Sequence, residues 1–465
     1  MYPIGLGLGY SLPTEFRRPA KGQQGSMING REQPRLRVAH FVQRYPPALG
    51  GSEAYFARLS RFLADQGDEV TVFTTTAIDL EAFWTTRGRC ARPGADTEDG
   101  VRVRRYQLWR LPEHRRVLKA LSLVPIRPWQ RLTLSCNPIA WGMWRDARRP
   151  ERPFDLVHAS AFPYGWPLEC GFRLARRLGV PFLLTPFVHT GDPSDPRDRT
   201  RRAYTQPALM SLTQAAARVF VQTEVERDVL LEHGVSPEKI VLQGLGVDLR
   251  NCTGGDRKRA RAEWRVRSDE IVIGHLANLS VEKGSVDLLR AALAAWEKGA
   301  AFRVVLAGPE MPNFRCYWER YPARGQVIRI GVLTDTQKRD FFSGIDVFAL
   351  PSRSDSFGLV LLEAWANKVA NVGYRAGGIA GLIRDGEDGL LVRCGDIRAL
   401  ARALDHLVVD HGLRRRLGEA GSKRLAREFC WEDKLALVRS AYMEAIEQKN
   451  TIGKSARRAS EVGPR

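Results

Sequence analysis

The stretch that most constrains the fold is the apolar run 347–350 with the residues that follow it, Pro351-Ser-Arg-Ser-Asp355-Ser-Phe-Gly-Leu-Val-Leu-Leu-Glu363. Four apolar residues without polar alternation fit a strand buried on both faces, as in a parallel sheet. Pro351 and Ser352 stop that strand. Ser356 is placed to cap a helix on which Leu359, Leu362 and Trp365 recur at helical spacing. A helix that opens just past a strand end turns free N–H groups and its positive dipole end toward a crevice, where an anion is favoured. Asp355 and Glu363 stand eight positions apart. With Glu363 about seven residues into the helix, it lies roughly 10 Å from the first turn, a diphosphate-to-ribose distance.

The same strand–loop–helix pattern recurs along the chain. Residues 36–41 read as a first strand and 45–51 as a loop. A helix capped at Ser52 runs to about Gln66 and stops at Gly67, and residues 70–74 form the next strand. Further parallel strands are expected at 154–158, 181–185 and 218–222, and a second α/β series at 271–275, 302–307, 327–330 and 346–350. A chain of 465 residues has room for two or three domains. The expected divisions are a disordered leader over 1–34, an N-terminal domain over 35–245, a C-terminal domain over 246–430, a last helix over 431–448 and a disordered basic tail over 449–465. Met27 is a candidate start within the leader, which lacks the charged beginning of a signal peptide.

Composition narrows the function. Seven scattered cysteines with no C-x-x-C pair argue against a disulfide framework and a structural zinc site, and for a reducing compartment. No apolar run approaches the roughly 18–20 residues needed to span a bilayer. The net charge of +20 fits either a solvated basic surface or attraction to anions such as nucleotide sugars or an anionic membrane face. No nucleic-acid fold signature is present. Residues 81–150, rich in Arg, Trp and Pro, read as an insertion. It is either a helical element packed on the first domain or an acceptor-binding or membrane-grazing surface.

Several loops carry chemistry. Asn278-Leu-Ser-Val-Glu-Lys283-Gly284 follows a strand, where a lysine beside a glycine can set an ammonium on a phosphate. Gly50-Gly51 lies over the first strand, where the absence of a Cβ lets a backbone approach phosphate closely, or simply makes a tight turn. His189 lies just beyond a strand end in Leu184-Thr-Pro-Phe-Val-His-Thr-Gly, whereas His158 sits within a strand and reads as packing. Thr223-Glu224 follows another strand. Gly244-Leu-Gly246 lacks the third glycine of a dinucleotide loop.

These motifs resemble the family-four retaining glycosyltransferases, whose first carboxylate motif is E-x7-E; here it reads D-x7-E. The resemblance runs from about Arg35 to Gln448. Leu279, Glu282, Lys283 and Gly284 match the family's R-L-x-x-E-K-G loop, with Asn278 at the arginine position. Asp385-Gly-Glu-Asp-Gly389-Leu-Leu-Val matches its D-G-x-x-G-x-L-V element, and Gly381 stands where a G-G-x-x-E element has Glu. The resemblance implies a GT-B fold: two Rossmann-like α/β domains facing across a cleft, with a C-terminal helix crossing back. It implies a nucleotide-diphosphate sugar as co-substrate, no metal, no other cofactor, and transfer with retention to an acceptor hydroxyl. That acceptor is a carbohydrate, a lipid-linked sugar or a small molecule. It further implies a cytoplasmic protein, with peripheral contact to an anionic membrane as an option. His189, Lys283 and Asp355 are then the catalytic set. Gly50, Gly51, Asn278, Lys283, Ser356, Phe357, Gly358, Leu359 and Glu363 bind the donor. The changes at Asn278, Asp355, Lys368 and Gly381 leave a second reading, a GT-B-like nucleotide-binding or assembly protein with impaired catalysis.

Overall fold

The computed structural model describes residues 27–28, 31–32, 34–48, 50–150, 152–191, 195, 197–353 and 355–461. Most of the leader expected over 1–34 lies outside these. The chain divides into two compact units, Met1–Leu183 with Ala445–Arg465, and Leu184–Glu444.

In the first unit β1 (Arg37–Phe41) leads through a loop to α1 (Gly51–Asp65) and back to β2 (Glu69–Thr75), which pairs parallel with β1. β3 (Gly94–Glu98) and β4 (Val101–Tyr106) form an antiparallel pair, and β4 runs parallel to β2. Three short helices follow, α2 (His114–Leu121), α3 (Arg127–Leu132) and α4 (Trp141–Arg148). Then come β5 (Leu156–Ala159), parallel to β1, α5 (Gly165–Leu178) and β6 (Phe182–Leu184). The strands stand in the order β6-β5-β1-β2-β4-β3. Phe41, Phe56, Leu59, Leu63, Val72 and Leu156 are fully buried. Phe41 and Phe73 stack at 4.5 Å.

The region expected to be an insertion over 81–150 therefore also supplies two strands. In β4 Val101 and Val103 are buried while Arg102 and Arg104 are half-buried, so its side chains alternate as a strand requires. The arginines disguise that alternation as a basic loop. Ser52 does not cap α1: the cap residue is Gly50, and the Ser52 hydroxyl donates to Glu53 Oε2 at 2.9 Å. Glu53 is buried against Arg44 at 2.7 Å, and a Cβ on Gly50 would stand 2.2 Å from its carboxylate. Packing on that ion pair thus accounts for glycine at position 50.

In the second unit β7 (Arg218–Val221), α6 (Glu224–Glu232) and β8 (Ile240–Leu242) make a parallel unit. A parallel sheet follows, built from β9 (Val272–Leu276), β10 (Arg303–Ala307), β11 (Val327–Gly331), β12 (Val347–Leu350), β13 (Ala370–Tyr374) and β14 (Gly389–Val392), in the order β11-β10-β9-β12-β13-β14. The helices α7 (Ser285–Trp296), α8 (Asp335–Gly344) and α9 (Leu359–Ala366) connect these strands. Ile273, Val304, Val347 and Val372, on four different strands, are fully buried in one core with Leu288 and Leu289 of α7. The order of strands reverses between β9 and β12, and a ligand crevice in such sheets lies at the carboxyl ends of the strands at that point. The last helix, Trp431–Glu461, continues through 449–461, where a disordered tail was expected.

Candidate active site

Two loops leave the sheet at its switch point, one after β9 and one after β12. Lys283 Nζ from the first meets Asp355 Oδ2 from the second at 2.7 Å, with side chains 28 % and 17 % exposed. The backbones are joined as well. Arg353 N donates to Glu282 O at 2.9 Å, and the Ser352 hydroxyl donates to the same carbonyl at 3.3 Å. Gly284 caps α7 with φ 77°, and a Cβ there would stand 1.8 Å from the Pro351 carbonyl oxygen. Only glycine combines that left-handed backbone with so close an approach.

Asp355 is held as an anion. Burial alone would lift its carboxyl, but Lys283, His189 and the Phe357 amide outweigh burial and keep it below the usual carboxylate range. His189 is half-buried, and burial with the nearby Lys283 charge pulls its imidazole down to about 4, against the opposing pull of Asp355. The structure thus brings the three expected catalytic residues into one electrostatic group. His189 packs on Tyr204 with ring centres 4.7 Å apart. Its segment is tied at two points: Val188 N donates to Glu226 Oε1 at 2.7 Å, and Gly377 N donates to Gly191 O at 3.0 Å. Glu226 Oε2 accepts from Gln222 N at 2.7 Å, so one buried carboxylate fastens two loops. Phe187, two residues before His189, is held at φ 52°, a backbone cost tolerated where the surroundings enforce it.

The remaining expected residues divide. Ser356 is not the cap of α9; Gly358 is, and the helix starts at Leu359. Glu363 is consequently its fifth residue, only about 6 Å along the axis from the first, not 10 Å. Glu363 Oε1 pairs with Lys338 Nζ of α8 at 2.7 Å. Burial lowers Lys338, but Glu363 and Asp335 outweigh it and leave its ammonium raised. Phe357 N is directed to Asp355 Oδ1 at 3.3 Å, so that amide already has a carboxylate. Leu359 stands at the first turn of α9, where helical N–H groups lack intrahelical acceptors. Asn278 is exposed beyond β9. Gly50 and Gly51 belong to the first unit, where a Cβ on Gly51 would meet open space. Thr223 caps α6, its hydroxyl accepting from Glu226 N at 3.1 Å, which is a structural duty.

Two family models match the chain: a glycosyl transferase 4-like domain over residues 50–246 and glycosyl transferases group 1 over residues 256–424. The chain belongs to the group 1 glycosyltransferases. It is 27 % identical over 427 residues to the D-inositol 3-phosphate glycosyltransferase of Corynebacterium glutamicum, covering 87 % of this chain and 94 % of that one. It is 28 % identical over 438 residues to that of Acidothermus cellulolyticus, covering 89 % and 90 %. In fold it resembles sucrose-phosphate synthase from Thermosynechococcus elongatus, with a TM-score of 0.66, 20 % identity, and coverage of 89 % of this chain and 100 % of that one. It likewise resembles Anabaena HepE solved with UDP and glucose, with a TM-score of 0.65, 17 % identity, and coverage of 88 % and 100 %. The fold is GT-B, with two parallel-sheet α/β domains.

Sequence reasoning missed several residues of this glycosyltransferase that hold the site in shape. Arg353 pairs with Asp287 of α7, which also accepts from the Tyr374 hydroxyl at 3.2 Å. His275, fully buried in β9, contacts Ala349 O through Nδ1 and Ser285 Oγ through Nε2, both at 2.8 Å. A carbonyl only accepts, so Nδ1 carries the proton and Nε2 accepts from the serine. Ser285 Oγ then accepts from Ser280 N at 3.1 Å, and Ser280 Oγ from Lys283 N at 3.1 Å. The chain of hydrogen bonds runs from β12 to the backbone of Lys283.

Histidines held neutral set a pH dependence. Burial lowers His40 to about 3 and His275 to about 4, His189 stands at about 4, and His158 is lowered well below its ordinary value. Between those values and 6.5 the unfolded chain binds more protons, so stability falls as pH falls, by about 1.4 kcal/mol per pH unit for each proton. Glu226, pushed by burial up to about 7, acts with the opposite sign between 4.5 and 7, as do Asp65 and Asp388, both raised by burial, while His114, also lowered by burial, joins the other four histidines. The melting temperature is expected to drop steadily from pH 6.5 to 4.5. A melting temperature that rose on acidification would contradict the neutral assignment.

Proposed function

We propose that this glycosyltransferase binds a nucleotide-diphosphate sugar at the switch point between β9 and β12. It would transfer the sugar to an acceptor hydroxyl with retained configuration and without a metal ion. The observation that carries this reading is the Lys283–Asp355 pair at 2.7 Å, formed by loops after two adjacent parallel strands, with His189 in the same electrostatic group. The donor diphosphate competes with Asp355 for the Lys283 ammonium. Asp355, once released, accepts hydrogen bonds from hydroxyls of the sugar. As the glycosidic bond breaks, negative charge grows on the diphosphate, and Lys283 with the first-turn amides of α9 stabilises it. A leaving phosphate oxygen on the same face takes the proton of the acceptor hydroxyl, which gives retention. Neutral His189 neither adds a repelling charge nor titrates near pH 7. Glu363 and Lys338 lie further along as partners for the ribose. HepE, solved with UDP-glucose, supports the donor class. The D-inositol 3-phosphate glycosyltransferases put a phosphorylated polyol first among acceptors to try.

A screen of UDP-, GDP- and ADP-sugars with excess chelator tests this reading, with the anomeric configuration of the product read by NMR. One base is expected to be used, with retention. An inverted product would remove the mechanism, activity lost to chelator would remove its independence of metal, and the absence of any nucleotide binding would remove the site.

Buried polar atoms on and beside the segments that Glu226 ties together add support. Thr190 Oγ1 and both side-chain amide atoms of Gln222 are buried with no hydrogen-bond partner among the described residues. Such groups cost stability unless a polar ligand satisfies them. Gln222→Met is therefore expected to melt at the same temperature or higher while kcat/KM falls about tenfold, the loss of a hydrogen bond or two to substrate. A less stable variant with full activity would show that Gln222 serves the fold and not the ligand.

A further inference from the structure

We infer that a cavity in the first unit takes one hydrocarbon chain of an anionic membrane lipid. The cavity, of about 620 Å³, is lined chiefly by side chains of α2, α3, α4 and the segments beside them, among them Leu118, Ile126, Trp129 and Trp141. That is the volume of a small-molecule site. Such sites usually present a few polar groups to fix their ligand, and this one presents almost none. Trp129 Nε1 donates to Leu121 O at 2.7 Å, and Trp166 Nε1 to Ala140 O at 3.2 Å. The Thr133 hydroxyl donates to Trp129 O at 2.8 Å. Arg173, the charged residue in the wall, donates to Glu169 Oε1 at 2.6 Å and lies 4.5 Å from the ring centre of Trp144. A sugar, a nucleotide or a peptide entering here would leave its water and find no hydrogen bond in return. An aliphatic chain loses nothing and buries its apolar surface.

The mouth points to a bilayer as the source of that chain. The connection from α2 to α3 exposes Leu123, Val124 and Ile126, at 79 %, 42 % and 56 %, next to half-exposed Trp129. A contiguous apolar surface of this kind marks a partner or a membrane. Arg115, Arg116, Lys119 and Arg127 flank the apolar connection, and residues 109–150 hold nine Lys or Arg against two Asp or Glu. Anionic headgroups complement that charge. A second copy of the chain does not, because a symmetric contact would set two strongly positive faces against each other. Among the described residues no helix is long and apolar enough to cross a membrane, so the contact is peripheral.

The test needs neither donor nor acceptor, so it stands apart from the transfer reaction. The full chain is mixed with vesicles of phosphatidylcholine, with or without phosphatidylglycerol, whose acyl chains carry bromine at mid-chain. Five of the eleven tryptophans line the cavity, so bromine in the cavity should quench up to about half of the emission. Expected results are binding at least about tenfold tighter with phosphatidylglycerol, weakened by salt, and accompanied by quenching. The doubly substituted Leu123→Asp, Ile126→Asp protein, whose changes fall on exposed positions, should keep its circular dichroism and lose both binding and quenching. Binding without quenching would mean adhesion by charge alone and overturn the inference. Equal binding by the double variant, or self-association that buries the same tryptophans without lipid, would overturn it too.

Discussion

Lys283→Met is expected to slow sugar transfer by about 10²–10³-fold, the loss seen when one donor to a developing anion is removed. Methionine keeps the length and apolar stem of lysine, so the loop is not emptied. The substitution removes the ammonium that pairs with Asp355 at 2.7 Å and that, in the proposed mechanism, would face the departing diphosphate. Two readouts separate the chemical role from a structural one. First, kcat should fall with the affinity for nucleoside diphosphate, because phosphate and leaving group share the cation. Second, the pH profile should shift. Lys283 is among the groups holding Asp355 below the ordinary carboxylate range against burial, so its loss lets the Asp355 carboxyl rise and moves the acid limb of activity upward. The fold should lose some stability, since Asp355 is left mostly buried without its cation, so the melting temperature is read beside turnover. Turnover within a few-fold of the parent protein would dismiss Lys283 from the reaction.

Gly284→Ala is expected to be nearly as damaging to turnover and far more damaging to stability. Two costs combine there. A left-handed backbone at φ 77° costs a non-glycine residue roughly 1–2 kcal/mol. The added Cβ would also stand 1.8 Å from the Pro351 carbonyl oxygen, a backbone atom that cannot rotate away. The loops carrying Lys283 and Asp355 must therefore part, and a displacement near 1 Å at a reacting centre can cost about 10²-fold. Gly254→Ala is the control. Gly254 has φ 78° and open space where its Cβ would be, so it bears the backbone cost alone. The expected order is a small loss of melting temperature and full activity for Gly254→Ala, against a large loss of both for Gly284→Ala. Equal behaviour of the two would mean that the close approach to Pro351 has no functional weight.

The parts of this molecule legible in its sequence are those encoded by neighbours. The apolar runs of β9, β10 and β12 announce strands buried on both faces, and the polar loops after β9 and β12 stand out beside them. Lys283 and Asp355 were legible as candidates for that reason. β4 was hidden because its outward positions are arginines, which read as a basic loop until the buried Val101 and Val103 are seen. The start of α9 was misplaced because Ser356 has the chemistry of a cap, while the chain turns into helix only after Gly358 at φ 89°. The supports of the site were invisible for another reason. Lys338 and Glu363, Arg353 and Asp287, and Glu226 with the Val188 amide join residues 25, 66 and 38 positions apart. Glu363 stood out by its spacing from Asp355, but no local pattern joins any of these residues to its partner.

The stitching between the two switch-point loops has a consequence for remodelling this enzyme. Glu282 O receives both Arg353 N and the Ser352 hydroxyl, Gly284 lies against Pro351, and Arg353 reaches Asp287 on the helix that Gly284 opens. Neither loop has a shape of its own to inherit. Transplanting the segment around Asp355 from a relative, to redirect sugar preference, would import one half of a seam without its matching edge. Residues 278–287 and 351–358 form the smallest exchangeable cassette, to be carried over together or not at all.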